Sequence, residues 1–469
     1  MNLLVVGLTG LLIITYLASL NWRRAVVAVL VIAVLEGAIR KWVLPQASQL
    51  IYFLKDFVLL GAYLSYFSLP KDQRRLLVKH STILVLLGLS LAWGLFQALN
   101  PSLGSPIIGF FGIKNYFFYI PLIWMLPSLF RTEDELYRFL RAYLLLIIPV
   151  GLLAIAQFFS PPDSPLNVYA WQEDSPYLAL GGDLKSVRVT GTFSYIAGYS
   201  VYMAASLCML LPLMTRNQPL LWRWLTIMEL AMIVITSFMN GSRGLLIIIV
   251  LLFVGYVGVQ AVTNTASVVR VVKKFILPGL LTAGMIGVGF QSAVNSLWLR
   301  VTSNQDINGR ILSSYLEPFT NFHYKELDGY GIGATFQANG ILRALLGLPP
   351  GESIPVFFES EMGRIALEIG PLGFLLWYGI KVAFLVALWQ LYRRLDRPFL
   401  QQLALSALLL QVLTFSSQIA FNHTAGIYHW FFNGFIFLLP QIEQMTIWQD
   451  YYQQFQPYER SSVARPPYQ

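Results

Sequence analysis

The chain of 469 residues is 56% hydrophobic, and only 12% of its residues are charged. Together with a mean hydropathy of +0.62, this composition leaves too little polar surface for a soluble fold. The formal net charge of +9 is not concentrated in a basic run with interleaved aromatic residues, so we attribute it to membrane topology and lipid contact and expect no nucleic-acid partner.

Thirteen apolar segments divide the chain, and most of them approach the roughly 20 residues that a helix needs to cross a bilayer core. In chain order they are 2–20, 25–43, 51–69, 81–99, 115–130, 142–159, 193–214, 221–239, 244–262, 275–290, 365–391, 403–419 and 425–439. We predict an all-α, polytopic transmembrane bundle of about 12–13 spans. The fifth, tenth and thirteenth segments are short enough to be re-entrant or tilted.

The basic residues fall in alternate gaps between these segments. Most of the 32 lysines and arginines lie in gaps of one parity, among them Arg23, Arg24, Arg131, Arg138, Arg216, Arg393, Arg394 and Arg397. By the positive-inside rule those gaps are cytoplasmic. The pattern predicts a multi-pass protein of the plasma (inner) membrane with its N-terminus outside and its C-terminus in the cytoplasm. No cationic region precedes the first apolar segment, which favours a retained span over a cleaved signal peptide.

Most of the polar residues outside the spans lie in two long outer gaps, 160–192 and 291–364. The second gap contains a helix-like stretch, 310–318, and a glycine-rich stretch, 329–333. The short cytoplasmic gaps hold no glycine-rich phosphate loop, so we expect any chemistry to occur outside. The chain then divides into an N-terminal transmembrane bundle (1–290), an extracytoplasmic loop subdomain (291–364), C-terminal transmembrane helices (365–440) and a cytoplasmic tail (441–469).

Cysteine and histidine give no sign of a metal site. The single cysteine, Cys208, lies inside a span and can form no internal disulfide. The four histidines are scattered, without a pair at helical spacing. We therefore expect neither a metal nor another cofactor. The absence of visible internal repeats disfavours an inverted-repeat carrier.

Charged residues inside apolar segments are candidates for function, because burying a charge in a membrane costs several kcal/mol unless it is paired or hydrated. Glu36 and Arg40 are four residues apart in the second segment, on one helical face, and Lys41 follows. They are either an intrahelical pair near the outer interface, with Trp42 as an interfacial aromatic, or a binding site for a lipid phosphate. Lys55 and Asp56, in the next segment, are candidate partners of this group and carry the same two alternatives.

Arg243 belongs to a short outer turn, residues 240–244, that opens the ninth span. Free backbone N–H groups, the positive end of the helix dipole and a guanidinium then converge at the membrane surface, which favours phosphate binding. The alternative is a helix capped by Ser242 or Asn240, with Arg243 extending to water.

The sequence Glu359-Ser360-Glu361 opens the eleventh span on the same outer face. Its structural interpretation is that Ser360 caps the helix, Glu361 complements the helix dipole, and Gly370 and Gly373 permit close helix packing. Its functional interpretation is a candidate acid–base site. Two further outer cations, Arg188 and Arg310, are either solvated surface charges or part of such a site.

Over about residues 188–379, the chain resembles the superfamily of O-antigen ligases and O-antigen polymerases, which are membrane glycosyltransferases. Its short motifs follow one another in the same order as in that family. The resemblance rests on 188–193, Ser242-Arg243-Gly244, Arg310, Tyr330-Gly331-Ile332-Gly333 and Gly370-x-x-Gly373. In the ligases, His followed by Asn, Ser or Gln, then nine residues and Gly-x-x-Gly, marks the catalytic helix. Glu359-Ser360 and the two glycines fit this frame, with Glu at the position of the His.

The resemblance implies a GT-C-like fold and the transfer of a glycan from a polyprenyl pyrophosphate to a hydroxyl of a glycan, lipid or protein acceptor outside the membrane. It implies Glu359 as the base that deprotonates the acceptor and Arg243 as the residue that stabilises the departing pyrophosphate. Arg310 and Arg188 would be further clamps on the substrate, and we add Ser360, Arg40 and Lys41 as substrate-binding candidates.

Alternatives remain open at this point. Within the family, a polymerase is favoured over a ligase because polymerases need not carry the ligase His. Outside it, the chain is either a flippase or other carrier of lipid-linked oligosaccharides, or a membrane scaffold without catalytic activity. A carrier needs a polar pathway through many spans, whereas the middle of the spans is largely apolar apart from Lys381.

Overall fold

The computed structural model describes residues 3–70, 80–170, 187–263, 290–303, 307–325 and 327–462, together with Gly279 and Gly284. Within these residues the chain is helical and contains no strand. The helices are α1 Leu3–Ser19, α2 Trp22–Ala38, α3 Ser48–Ile51, α4 Leu54–Ser68, α5 Ser81–Ala98, α6 Pro106–Phe117, α7 Leu122–Leu129, α8 Glu133–Leu144, α9 Ile147–Phe159, α10 Ile196–Leu213, α11 Leu220–Asn240, α12 Arg243–Thr263, α13 Gln291–Ser303, α14 Ile307–Asn321, α15 Asn339–Leu346, α16 Glu361–Arg394, α17 Pro398–Leu413, α18 His423–Asn433 and α19 Phe435–Ser462.

Eight helical stretches in the described part of the chain are long and apolar enough to cross a membrane, and they indicate a membrane protein. They are Pro45–Ser68, Ser81–Ala98, Pro106–Leu129, Glu133–Phe159, Ile196–Leu213, Leu220–Asn240, Arg243–Val262 and Glu361–Arg394. Each overlaps one of the thirteen predicted segments, so the all-α membrane architecture is confirmed, although not the full number of spans.

The other five predicted segments are not single long helices in the described part of the chain. Two of them coincide with shorter apolar helices, Gly7–Ser19 and Pro398–Leu413. Segment 25–43 forms α2 and a π-helical turn, Ile39–Val43, whereas 425–439 is divided between α18 and α19. Segment 275–290 lies outside the described residues, apart from Gly279, Gly284 and Phe290.

Helix α10 is the central helix of the bundle. Fourteen of its residues are buried, which include all those from Tyr202 to Leu213. It packs against α11, α12, α17 and α18. A helix that is apolar on every side requires such a position, because it has no polar face to turn towards water.

Helix α16 is interrupted at Gly370, whose φ of 64° and ψ of −176° are not helical. The Nζ of Lys381 lies 3.0 Å from Oε1 of Glu361. Twenty residues of straight helix would separate the two by about 30 Å. The chain therefore reverses at Gly370, and residues 361–369 lie back against 371–394. The expectation of one continuous helix over 365–391, with Gly370 serving only for packing, is wrong.

The gaps that the charge pattern assigns to one side of the membrane contact one another. The Arg216 guanidinium lies 2.9 Å from Asp134 and 3.7 Å from Glu133. Arg397 lies 3.2 Å from Glu133 and also pairs with Asp450. These contacts join the gaps after the fifth, seventh and eleventh predicted segments to the C-terminal region. They agree with the alternation of basic residues along the sequence.

The intervening gaps also contact one another. Trp42 Nε1 donates to the carbonyl of Pro165 at 2.8 Å, and Glu352 N donates to the carbonyl of Ser102 at 2.8 Å. Lys325 Nζ donates to Glu352 at 2.7 Å. The Arg343 guanidinium donates to the carbonyl of Leu103. The large 291–364 segment is thus fixed to the loop that follows α5.

Candidate functional site

Four buried or partly buried cations gather where α2, α4 and α6 meet. Arg40 and Lys41 lie on the π-helical turn that follows α2, Lys55 lies in the first turn of α4, and Lys114 lies in the last turn of α6. Arg40, Lys55 and Lys114 pair with two carboxylates, Glu36 and Asp56, and Lys41 is the neighbour of Arg40 on the π-helical turn. We call these six residues the cationic cluster. It contains two more positive than negative groups.

Ion pairs form two groups within the cationic cluster, one around Glu36 and one around Asp56. Arg40 Nη1 lies 3.6 Å from Oε1 of Glu36, and Lys55 pairs with Oε2 of the same carboxylate. Lys114 Nζ lies 2.6 Å from Oδ2 of Asp56. The predicted Glu36–Arg40 pair is therefore present, and Lys55 is its partner as expected, whereas Asp56 pairs with Lys114 instead. The Lys114 side chain is 18% exposed, so the cluster is accessible beside it.

The Tyr52 ring is the point on which three of these cations converge. The centroid of the ring lies 5.1 Å from Arg40 Cζ, 4.7 Å from Lys55 Nζ and 6.0 Å from Lys114 Nζ. An aromatic face attracts cations through its quadrupole, but only by about 0.5–2 kcal/mol each. The ring therefore brings the cations together without neutralising them.

His423, at the start of α18, adjoins the cationic cluster, a contact that no local pattern around this residue predicts. Its Nε2 lies 3.1 Å from Lys114 Nζ and 3.1 Å from Oδ1 of Asn115. Asn115 is buried, and its Nδ2 has no hydrogen-bond partner among the described residues. A buried amide donor without a partner is costly, so this position favours an additional acceptor.

The segment 187–194 lies across the cationic cluster. Lys41 Nζ donates to Oγ1 of Thr190 at 3.1 Å and to the carbonyl of Gly191 at 2.7 Å. Arg40 Nη1 donates to Oγ of Ser194 at 3.0 Å. Gly37 permits this close approach, because a Cβ there would lie 2.2 Å from the backbone nitrogen of Ser194. The π-helical turn and the entrance to α10 are thereby joined.

The same segment carries Arg188 to the turn before α12. Arg188 Nε donates to the carbonyl of Asn240 at 3.0 Å, and Asn240 Nδ2 donates to the carbonyl of Val189 at 2.8 Å. Ser242 caps α12, since its Oγ accepts from the backbone N–H of Leu245 at 3.3 Å. Arg243 is the first residue of α12 and is half-buried. Segment 187–194 therefore contacts Arg40 and Lys41 directly and carries Arg188 to the turn that precedes Arg243.

Glu359 and Ser360 lie beside α14 and the loop 414–422 between α17 and α18. Both backbone N–H groups donate to the Glu317 carboxylate at 3.2 Å, and Gln418 Nε2 donates to the carbonyl of Glu359 at 3.3 Å. The Glu359 side chain is exposed. Ser360 Oγ accepts from Gly363 N at 2.9 Å, so Ser360 is the predicted N-cap of α16.

Arg310 belongs to α14, whose helical conformation agrees with the stretch predicted at 310–318. Its side chain lies outside the described residues. The structure therefore gives no contact between Arg310 and the other predicted site residues.

Arg364 and Glu368, one turn apart in α16, were missed by the sequence analysis. The Arg364 guanidinium lies 3.6 Å from the centroid of the Phe421 ring and donates to Thr335 at 2.7 and 3.0 Å. Glu368 accepts from Tyr116 OH at 2.8 Å and from the backbone N–H groups of Gly333 and Thr335 at 2.9 and 2.8 Å. The glycine-rich stretch 329–333 is the only sequence signal for this network, because it supplies the backbone that Glu368 binds.

Loop 414–422 connects the two charged regions. The carboxylate of Glu361 accepts from the backbone N–H of Ile419 and, at 3.1 Å, from that of Ala420. Phe421 lies under Arg364, and His423 follows two residues later beside Lys114. Glu361 is therefore more than a helix-dipole partner, since it fixes the loop between the α16 reversal and the cationic cluster.

No group of three or more histidine, cysteine, aspartate or glutamate side chains suited to a metal ion occurs in the described part of the chain. The arrangement offers cations and hydrogen-bond donors for an anion, and carboxylates for proton transfer. Comparison of the chain with protein-family models finds no match, and comparison with curated proteins also finds none.

Proposed function

We propose that the chain is a metal-independent, GT-C-like membrane glycosyltransferase. It transfers a glycan from a polyprenyl pyrophosphate to a hydroxyl acceptor on the outer side of the plasma membrane. Polymerisation, in which the acceptor is another lipid-linked repeat, is the first choice. Ligation to lipid or protein is the second. The sequence resemblance and the charge geometry of the site support this function together.

The excess positive charge of the cationic cluster is the observation that carries the proposal. Lys41 makes no ion pair with any described residue, although only 5% of its surface is exposed. A buried cation is costly unless an anion or water compensates it. A diphosphate supplies the missing negative charge and several acceptor oxygens, and Asn115 offers an unpaired amide donor beside the cluster.

The outward orientation of the site follows from the distribution of basic residues. Arg131, Arg216 and Arg397 belong to the basic gaps, which are cytoplasmic by the positive-inside rule. Arg188 and Arg243 belong to the intervening gaps, which then face outwards. This places the N-terminus outside and the C-terminus in the cytoplasm. A polyprenyl pyrophosphate in the outer leaflet would reach the cluster beside Lys114.

The transfer itself is a substitution at the anomeric carbon of the donor. Glu359 takes the proton from the acceptor hydroxyl, and the acceptor oxygen forms a bond to the anomeric carbon. The bond between that carbon and the pyrophosphate oxygen breaks, and its electron pair leaves with the polyprenyl pyrophosphate. Arg243 and Arg188 stabilise the charge that develops on the leaving group, with Arg310, Arg40 and Lys41 as further contacts. A carboxylate serves as base in the same way in inverting glycosidases.

The test is turnover by the purified protein in a lipid nanodisc, with a polyprenyl pyrophosphate-linked glycan as donor. Released polyprenyl pyrophosphate and extended glycan are both measured. We expect Glu359→Gln and Arg243→Ala each to lower the rate at least about a hundredfold, the scale of losing a general base or a charge-stabilising group. Asp396→Asn and Arg393→Ala remove the same charges from exposed positions in a basic gap and serve as controls.

The outcomes separate the alternatives. A carrier or a scaffold leaves the donor intact, so absence of turnover in the unmodified protein with a range of acceptors contradicts the proposal. In a deletion strain, loss of long surface glycan indicates a polymerase. Accumulation of long glycan on the lipid carrier indicates a ligase.

A further inference from the structure

A groove of about 730 Å³ lies near the start of α2, whereas the cationic cluster lies near the end of the same helix. It runs between the start of α2 and the connection of α7 to α8. Its polar lining is Arg23, Arg24, Arg131, Arg138 and Glu135, and its apolar lining is Val27, Leu129, Phe130 and Phe139. The proposed glycosyl transfer uses none of these residues.

The charge of the groove is strongly positive. All four arginines are exposed, and they come from two chain segments more than 100 residues apart. The single carboxylate, Glu135, is engaged by the backbone, since its Oε2 accepts from Arg131 N at 2.8 Å. Glu135 N in turn donates to Thr132 Oγ1 at 3.2 Å, so Thr132 caps α8. The carboxylate therefore orders the helix start but keeps its negative charge, so the four arginines and Glu135 together give the groove lining a net charge of +3.

The apolar lining indicates that the ligand has an apolar part as well. Leu129 ends the apolar helix α7, and Val27 lies in α2 just after its two arginines. At the end of a membrane helix, such residues lie where acyl chains meet headgroups. A soluble anion would use only the guanidinium groups, whereas a phospholipid would use both kinds of lining.

We propose that this groove binds the headgroup of an anionic phospholipid from the surrounding leaflet, with an acyl chain against Phe130 and Phe139. Basic residues near a membrane surface attract anionic lipid, and basic pockets at the ends of transmembrane helices hold phosphate headgroups. Positive-inside topology accounts for arginines in these two gaps. It does not account for their convergence on one concave surface with an apolar lining.

The experiment is native mass spectrometry of the delipidated full-length protein, titrated with defined lipids in detergent. Cardiolipin and phosphatidylglycerol are compared with phosphatidylcholine, which has a zwitterionic headgroup, and with inorganic phosphate. We expect the anionic lipids to bind and the other two not to bind. Binding of inorganic phosphate with equal affinity, or of phosphatidylcholine with equal affinity, would overturn the proposal of a lipid site selective for anionic headgroups.

Matched variants locate the site. Arg24→Gln/Arg131→Gln/Arg138→Gln should weaken binding of cardiolipin at least about tenfold, because each charge near the surface contributes to attraction. Arg393→Gln/Arg394→Gln removes exposed charges from another basic gap and should change affinity less than twofold. Replacement of the three groove arginines by lysine should retain most of the binding. Equal losses of cardiolipin affinity in the groove variant and the control variant would contradict the site. Tight cardiolipin binding by the folded variant in which the three groove arginines are replaced by glutamine would also contradict it.

Discussion

Glu361 and Lys381 form a buried ion pair of 3.0 Å across the reversal of α16. Residues 371–394 are about 36 Å long as a helix, and Lys381 lies about 15 Å from their beginning. Since this length is enough to cross a bilayer core, Glu361 lies level with the middle of a spanning helix and not with its end. Glu359 is two residues away and therefore within about 7 Å of Glu361 along the chain.

The reversal changes where proton transfer would take place. If α16 were straight, Glu359 would lie at the outer end of a span, in contact with bulk water. The observed geometry instead sets it beside loop 414–422, where α17 ends and α18 begins.

Lys381→Met should destabilise the protein by about 3–5 kcal/mol, because it leaves the carboxylate of Glu361 buried without its cation. The Glu361→Gln/Lys381→Met double variant should recover part of this loss, because no buried charge remains unpaired. Thermal unfolding in detergent measures both variants. A single variant as stable as the unmodified protein would show that water or the Ile419 and Ala420 amides compensate Glu361 by themselves.

Gly370→Ala should destabilise the reversal, whereas Gly379→Ala in the same helix should not. A φ of +64° costs a non-glycine residue about 1–2 kcal/mol, and a Cβ at position 370 would lie 2.1 Å from the carbonyl oxygen of Leu327. Position 379 has open space around it, and alanine there should stabilise the helix by up to about 1 kcal/mol. Unfolding temperatures of the two variants give the comparison. Equal temperatures would mean that the backbone at Gly370 is relaxed in another conformation.

Lys41→Met should weaken binding of a polyprenyl diphosphate at least about tenfold, because a charged hydrogen bond contributes about 1.5–3 kcal/mol. Lys325→Met is the control, since Lys325 pairs with Glu352 in the large loop at 2.7 Å. Calorimetric titration of the protein in detergent measures the affinity. Because Lys41 also binds Thr190 and Gly191, unfolding is followed in parallel. Unchanged affinity in a variant that remains folded would remove Lys41 from the substrate site.

Stability should depend on pH through Glu352, which lies outside the membrane-spanning helices. The hydrogen bond from Lys325 lowers the pKa of this carboxyl below its usual value. A depressed pKa in the folded state stabilises the protein above the pKa of the unfolded chain, which is about 4.3, and the contribution is lost as the pH falls through the folded value. Because the pair is exposed, the effect should be only about 0.2–1 kcal/mol.

The comparison of the unmodified protein with Glu352→Gln between pH 3 and pH 7 isolates this contribution. Their unfolding temperatures should converge as the pH falls below 4, because protonated glutamic acid and glutamine carry the same charge. A difference that is as large at pH 3 as at pH 7 would mean that the Lys325 hydrogen bond does not depend on the carboxylate charge.

Local features of the sequence were sufficient to predict much of the structure. The eight described stretches that are long and apolar enough to cross a membrane overlap predicted segments, because hydropathy is a property of consecutive residues. The Glu36–Arg40 pair follows from the spacing of one helical turn, and the N-caps Ser242 and Ser360 follow from their positions before apolar helices.

Contacts between distant residues were not predictable in the same way. Lys114 and His423 are 309 residues apart, and Arg364 meets Phe421 across the loop after α17. The sequence around these four residues contains no local pattern that identifies which distant residue each one contacts. The local sequence around His423 and Arg364 therefore does not indicate that either residue belongs to the candidate site.

What the sequence alone determined is the class of molecule: an apolar, many-helix membrane protein with its basic residues in alternate gaps, because both properties depend on which residues are adjacent along the chain. The tertiary structure decided which charges meet and where α16 reverses. Ion pairing in a bundle depends on how helices pack, and the reversal depends on a positive φ at Gly370, a conformation that glycine permits but does not require.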